Sequence, residues 1–146
     1  MSSYPNQLRH PLRRTPIVIS AADRELITSL LRSSQRTVEV EVGGFLREEL
    51  DRADTVPDAA ASRAVGIGSE VTFIDHQTQQ LRIGRVVDPE HVENSRCISV
   101  LSLVGSALIG LGPGQTLEWT YRGGLCGVTV LRVVTADNRK FVASKS

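Results

Sequence analysis

The densest gathering of chemically able side chains is Asp88-Pro89-Glu90-His91-Val92-Glu93, with three carboxylates and an imidazole. Brought together in space they would suit a hard cation or an acid-base pair, because carboxylate oxygens bind such ions and histidine exchanges protons near neutrality. A proline-containing polar loop between strands has the same composition, and the segment reads as such a loop. His76 falls in a polar turn and His10 near the N-terminus; neither has a serine, cysteine or carboxylate at a recognisable triad spacing. Cys97 and Cys126 sit in the apolar runs Arg-Cys-Ile-Ser-Val and Gly-Leu-Cys-Gly-Val, without a Cys-x-x-Cys pair or a histidine at ligand spacing. Two buried, reduced thiols are therefore expected. Gly110-Leu-Gly112-Pro-Gly114 is not followed by Lys-Ser or Lys-Thr and runs into a strand pattern, so it reads as a turn and not as a phosphate cradle. No catalytic residue, metal ligand or cofactor is assigned.

The chain has 146 residues, with 17 Lys or Arg against 16 Asp or Glu, a formal net charge of +1. That balance excludes a polycation built for duplex DNA. Three Phe, one Trp and two Tyr provide no base-stacking platform, and Arg82 and Arg85, an odd spacing apart on a strand, point to opposite faces. Nucleic acid as a direct ligand is disfavoured. Hydrophobic residues at 40% and charged residues at 23% place the chain among ordinary globular proteins. No apolar run approaches the roughly 18 residues of a membrane span, and the first ten residues lack a signal's apolar stretch, so a cytoplasmic protein without membrane contact is expected.

Residues 1–14, with Arg9, His10, Arg13 and Arg14 among prolines, read as a flexible basic tail. Ser20-Ala-Ala-Asp23 resembles a capping box, and Leu26, Ile27, Leu30 and Leu31 follow at helical spacing, which predicts a helix from about Ala21 to Arg32. Leu46, Leu50 and Ala53 then share a stripe, with Glu48, Glu49, Asp51 and Arg52 on the other side, and Pro57 stops the pattern. Two such amphipathic pieces would pack as a short antiparallel hairpin over 15–57. Where the second begins is open, because Val38, Val40 and Val42 alternate like a strand and Gly43-Gly44 disfavours a helix interior by about 1 kcal/mol per residue. Residues 58–64 read as a linker.

From residue 65 the period becomes two. Val71 and Phe73, then Leu81, Ile83, Val86 and Val87, flank the turn Asp75-His-Gln-Thr78. Cys97 to Leu101 is a further strand, Leu103 to Leu111 forms one or two helical turns, and Gly112 to Gln115 turns the chain. Thr116–Tyr121 and Leu125–Thr135 pair across Arg122-Gly-Gly124. The fold class is α+β: a bent antiparallel sheet with one short helix over 65–140, behind the hairpin, with 141–146 as a tail.

Ile98-Ser-Val-Leu-Ser102-Leu103-Val104-Gly105-Ser-Ala107-Leu108-Ile109-Gly110, followed by Gly114 and by Gly123-Gly124, resembles the C-terminal signature of the GreA/GreB transcription elongation factor family. Glu49-Leu-Asp-Arg-Ala53 ahead of Val56-Pro57 is similar to the end of the short hairpin in that family's nucleoside diphosphate kinase regulator branch. The resemblance implies an FKBP-like domain over 65–140. It also implies docking on RNA polymerase near the secondary channel through Ser102, Leu103, Val104 and Gly105, by a monomer that meets DNA or RNA only through the polymerase. Leu103 stands where the family has proline, and Gln115 where it has aspartate.

Cleavage-stimulating family members carry two acids at the tip of a long coiled coil, which help hold a catalytic Mg²⁺. Here the helices are too short for that reach, and Glu39 and Glu41, the only acids near the expected hairpin tip, lack the family's spacing. The implied function is a non-enzymatic regulator competing with Gre factors. The alternatives are a transcript-cleavage factor using Glu39 and Glu41 and, on fold alone, a prolyl isomerase drawing on Phe73, Trp119, Tyr121 and Phe141.

Overall fold

The computed structural model describes residues 15–33 and 40–135. The expected tails, Glu39 and Phe141 lie outside the described residues, as does the Glu41 side chain. The elements, in chain order, are β1 (Val18–Ser20), α1 (Ala21–Ser33), α2 (Val40–Arg52), β2 (Asp54–Val56), α3 (Asp58–Ala61), β3 (Glu70–Asp75), β4 (Gln80–Val87), a 3₁₀ turn (Pro89–His91), β5 (Cys97–Ser99), α4 (Leu103–Leu108), β6 (Thr116–Tyr121) and β7 (Gly124–Val134).

The first helix starts where the capping pattern predicts. The amide of Asp23 donates to Ser20 Oγ at 3.1 Å, satisfying one of the helix's orphan donors. The second helix begins at Val40, with Val42 and the glycine pair inside it. Burial overrides the local preference here: Val42, Phe45, Leu46 and Leu50 all enter the core, and that gain exceeds the roughly 1 kcal/mol that each glycine costs. Glu49 corrects the stripe read from the sequence. It is buried on the inner side of α2, where Arg52 Nη2 donates to its Oε1 at 2.7 Å and Arg52 Nε to its Oε2 at 3.0 Å.

Two short strands, not expected from the sequence, bracket the helices. β1 and β2 pair in parallel, Val18 opposite Asp54 and Ser20 opposite Val56, so the chain leaves and re-enters the body at one place. Alternation over three residues is too brief to register as a strand pattern. The segment 58–64 likewise contains a helix, α3, of four residues.

The main sheet has the order β5-β4-β3-β7-β6. Three of its four pairings are antiparallel, but β5 runs parallel to β4, Arg85 opposite Cys97 and Val87 opposite Ser99, so the sheet is mixed. The expected all-antiparallel arrangement fails at this edge because residues 88–96 loop back to the level of Arg85, so that β5 runs alongside the last three residues of β4 in the same direction; Asp88 caps the 3₁₀ turn in that return. A bulge between Thr72 and Phe73 bends the middle of the sheet.

One face of the sheet is covered. Val71, Phe73, Val86, Ile98, Leu117, Trp119, Val128 and Val130 join Ala107 and Leu108 of α4 and Phe45 and Leu46 of α2 in one contiguous core. Phe45 and Trp119 meet with ring centroids 5.8 Å apart, tilted by 60°. Leu81 and Ile83, which the sequence alternation places with the apolar set, lie on the opposite, open face and are 61% and 45% exposed. Arg82 and Arg85 do face opposite ways: Arg82 stacks over the Phe73 ring at 5.3 Å, while Arg85 shares the outer row with Glu70. Among the described residues, no helix is long and apolar enough to cross a membrane.

Candidate docking surface at the start of the short helix

The four residues singled out by the signature, Ser102 to Gly105, are the N-cap and first turn of α4, shortly after β5 ends. Val100 is buried and its amide donates to Val87 O at 2.8 Å, which ties the chain to β4 just before the turn. Ser102 then holds α4 from both sides. Its hydroxyl donates to Ser99 O at 2.6 Å and accepts from the Gly105 amide at 3.1 Å. Gly105 is a steric requirement: a Cβ there would fall on the Ser99 carbonyl oxygen. Ala107 and Leu108 plunge into the core and fix the rotation of the helix, leaving Leu101, Leu103 and Val104 half-buried around its start.

Leu103 is the first helical residue. Proline suits that position because its missing amide is an orphan donor there. With Ser102 capping the turn, leucine keeps the helix and adds an aliphatic side chain, partly packed on the core and partly presented to solvent. Gln115 also does something aspartate could not. Its Oε1 accepts from the Gly112 amide at 2.7 Å while its Nε2 donates to Pro16 O at 3.0 Å, so the turn after α4 is pinned to the segment leading into β1.

The other candidates resolve into local structure. Asp88 accepts from the amides of Glu90 and His91, and its carboxylate oxygens lie 2.7 and 2.8 Å from His91 Nδ1. The polar cluster thus closes on itself as a capped turn. Among the described residues no group of three His, Cys, Asp or Glu side chains is placed to hold a metal ion. Both cysteines are free. Cys126 is buried, and burial, with Asp75 adding to it, pushes its thiol up and away from thiolate chemistry. Cys97 is only partly buried, which corrects the expectation for it, because β5 lies at the sheet edge. Phe73 and Trp119 are buried in the core, with Phe45 of α2 against the Trp119 ring.

Sequence reasoning missed two polar sites. His76 folds back over Gly127, where a Cβ would come within 2.5 Å of its Nδ1. Its Nε2 lies 2.7 Å from Thr129 Oγ1, which is in turn 2.8 Å from Thr116 Oγ1. The glycine inside a strand pattern was the signal available. The second is Asp23, whose Oδ2 accepts from the Ile67 amide at 3.2 Å and occupies the space a Cβ on Gly66 would need. Burial pushes the Asp23 carboxyl up, the Ile67 hydrogen bond opposes this, and Asp58 adds to the rise.

Residues 60–135 match the family model described as transcription elongation factor, GreA/GreB, C-term. The chain belongs to the GreA/GreB transcription elongation factor family. Within it, the chain is 30% identical over 116 residues to the regulator of nucleoside diphosphate kinase of Escherichia coli strain K12, covering 78% of this chain and 85% of that protein. The solved GreA/GreB elongation factor structure from Nitrosomonas europaea is 31% identical, with a TM-score of 0.63 over 83% of this chain and 99% of that one. Membership of the family marks the chain as a transcription-factor-like regulator, akin to proteins named as regulators or elongation factors. The matched span contains β3 to β7 and α4, hence the whole Ser102–Gly105 turn.

Proposed function

We propose that this chain is a non-catalytic regulator that docks on RNA polymerase near its secondary channel and competes there with Gre factors. The body, with its bent sheet and α4, serves as the FKBP-like docking domain, and the surface of Leu101, Leu103 and Val104 around Ser102 makes the contact. The two helices act as a short antiparallel hairpin entering the channel mouth.

The observation that carries this reading is the length of the helices in a chain of this family. Each has 13 residues, so each spans about 20 Å at 1.5 Å per residue. Deep delivery of tip acids to a catalytic Mg²⁺ needs a longer arm, whereas blocking an opening does not. Half-exposed aliphatic side chains on a rigid, capped turn suit a protein contact, since their burial against a partner contributes about 25 cal/mol per Å².

The test uses the full chain and purified core polymerase. Wild-type protein should be retained by the polymerase and should displace a Gre factor, with no endonucleolytic product from backtracked complexes in Mg²⁺. Leu103→Asp should weaken retention at least tenfold, by burying a charge in the contact, while the chain keeps a cooperative melt at a slightly lower temperature, since Leu103 packs in part on the core. Absence of binding and of displacement by the wild type rejects the proposal. Appearance of cleaved transcript replaces it with the cleavage-factor alternative.

A further inference from the structure

The strand that ends at the docking turn begins beside a second feature. On the open side of the sheet a hollow of about 200 Å³ lies against β4 and β5, lined by Glu70, Ile83, Arg85, Asn94, Arg96 and Cys97. Strand register creates it. Glu70, Arg85 and Cys97 stand opposite one another across β3, β4 and β5, and the return loop brings Asn94 and Arg96 to the rim. The walls are fixed: Arg85 Nη1 donates to Gly68 O at 2.8 Å, and the Arg85 amide donates to Arg96 O at 2.9 Å. Gly84 permits this closeness, because a Cβ there would press within 3.0 Å of Arg96 O and 2.6 Å of Ile98 Cδ1.

Two arginines and one glutamate line this hollow, and among the described residues neither Arg85 nor Arg96 is engaged in an ion pair. A guanidinium has five donors in a planar fork, of which Arg85 spends one on Gly68. Resting on the docking proposal above, we infer that the hollow receives a carboxylate side chain of the polymerase. The contact then runs along the β5 edge from the aliphatic turn at Leu103 to a charged anchor at Arg96. A phosphate would satisfy the same donors. The carboxylate is favoured because the rim offers no aromatic ring for a base, carries Glu70 against a polyanion, and is continuous through β5 with a surface suited to protein.

The experiment measures binding of the full chain to core polymerase across a salt series. Arg96→Glu should weaken affinity about fivefold at low salt and flatten the salt dependence, with most of the change in association rate. Arg132→Glu, on the same sheet face but two strands away from Arg85, should change affinity less than twofold. Thermal melting of both variants should match the wild type. Wild-type affinity in Arg96→Glu alongside loss of binding in Leu103→Asp overturns this inference and leaves the docking proposal standing. Equal losses in Arg96→Glu and Arg132→Glu also overturn it, by showing diffuse attraction in place of a site. Single-stranded RNA binding that Arg96→Glu abolishes would reassign the hollow to phosphate. A wild-type chain that does not bind polymerase overturns both proposals together.

Discussion

Between the sheet and α4 the core is closed by Phe73, Val86, Leu108, Leu117 and Val130, all at 1% exposure or less, whereas the seat of α1 and α2, apolar at Ile27, Phe45 and Leu46, also holds the carboxylates of Asp23 and Glu49. Glu49 is 1% exposed and held by Arg52, whose Nη1 also donates to Thr15 O. Asp23 caps the other helix onto the Ile67 amide. Apolar packing is non-directional and tolerates small slides, while an ion pair or a charged hydrogen bond works at one geometry only. The two halves share one apolar core, and the polar contacts of the helical half add a fixed position on it.

Leu108→Asp strikes the apolar half and should have the largest effect. It places a charge at 0% exposure, and loss of more than about 4 kcal/mol, seen as the disappearance of a cooperative melt, is expected. Arg52→Ala strikes the polar half by leaving the buried Glu49 carboxylate without its partner. Urea unfolding should report a loss of about 3 kcal/mol, and replacing both residues with methionine should recover most of it. A double variant as unstable as the single one would show that the pair is needed for more than mutual neutralisation.

Smaller effects sharpen the contrast. Gly44 lies inside α2, and a Cβ there would meet nothing within 4 Å, so Gly44→Ala should stabilise the chain by about 0.5–1 kcal/mol. Asp23→Asn should act through pH. A carboxyl whose folded-state affinity for protons is raised contributes stability below its unfolded value, near 3.8, and loses it as pH climbs through the higher folded value. The asparagine keeps an acceptor for the Ile67 amide without that penalty. Its advantage over the wild type should be present at neutral pH and vanish as pH falls below about 4, measured by melting across pH.

The strands of the main sheet were legible because their alternation is regular, and two of the four pairings because they are local. Thr116–Tyr121 and Gly124–Val134 flank a glycine-containing turn, and β3 and β4 flank a polar one, so neighbours in sequence are neighbours in space. The parallel return of β5 was not legible, since register between strands joined by a long loop leaves no periodic trace. Glu49 reads as a surface acid by type, and only the fold places it beside Arg52 in the interior. The Ser102 turn stood out through its residue pattern, but the reason for Gly105 became visible only with the Ser99 carbonyl in place. The rim at Arg85 and Arg96 depends on the same unforeseen β5 register.

Trp119 is the one tryptophan in the chain, 2% exposed, with Phe45 of α2 against its ring and no hydrogen-bond partner for its indole nitrogen among the described residues. A fluorophore so placed gauges the seating of one helix on one strand without any label. Lifting α2 would hydrate the indole and move its emission to longer wavelength, whereas events confined to the far side of the sheet would leave the colour alone. Any encounter with a larger assembly can therefore be sorted, by light from a single residue of this protein, into those that keep the helices in place and those that pull them away.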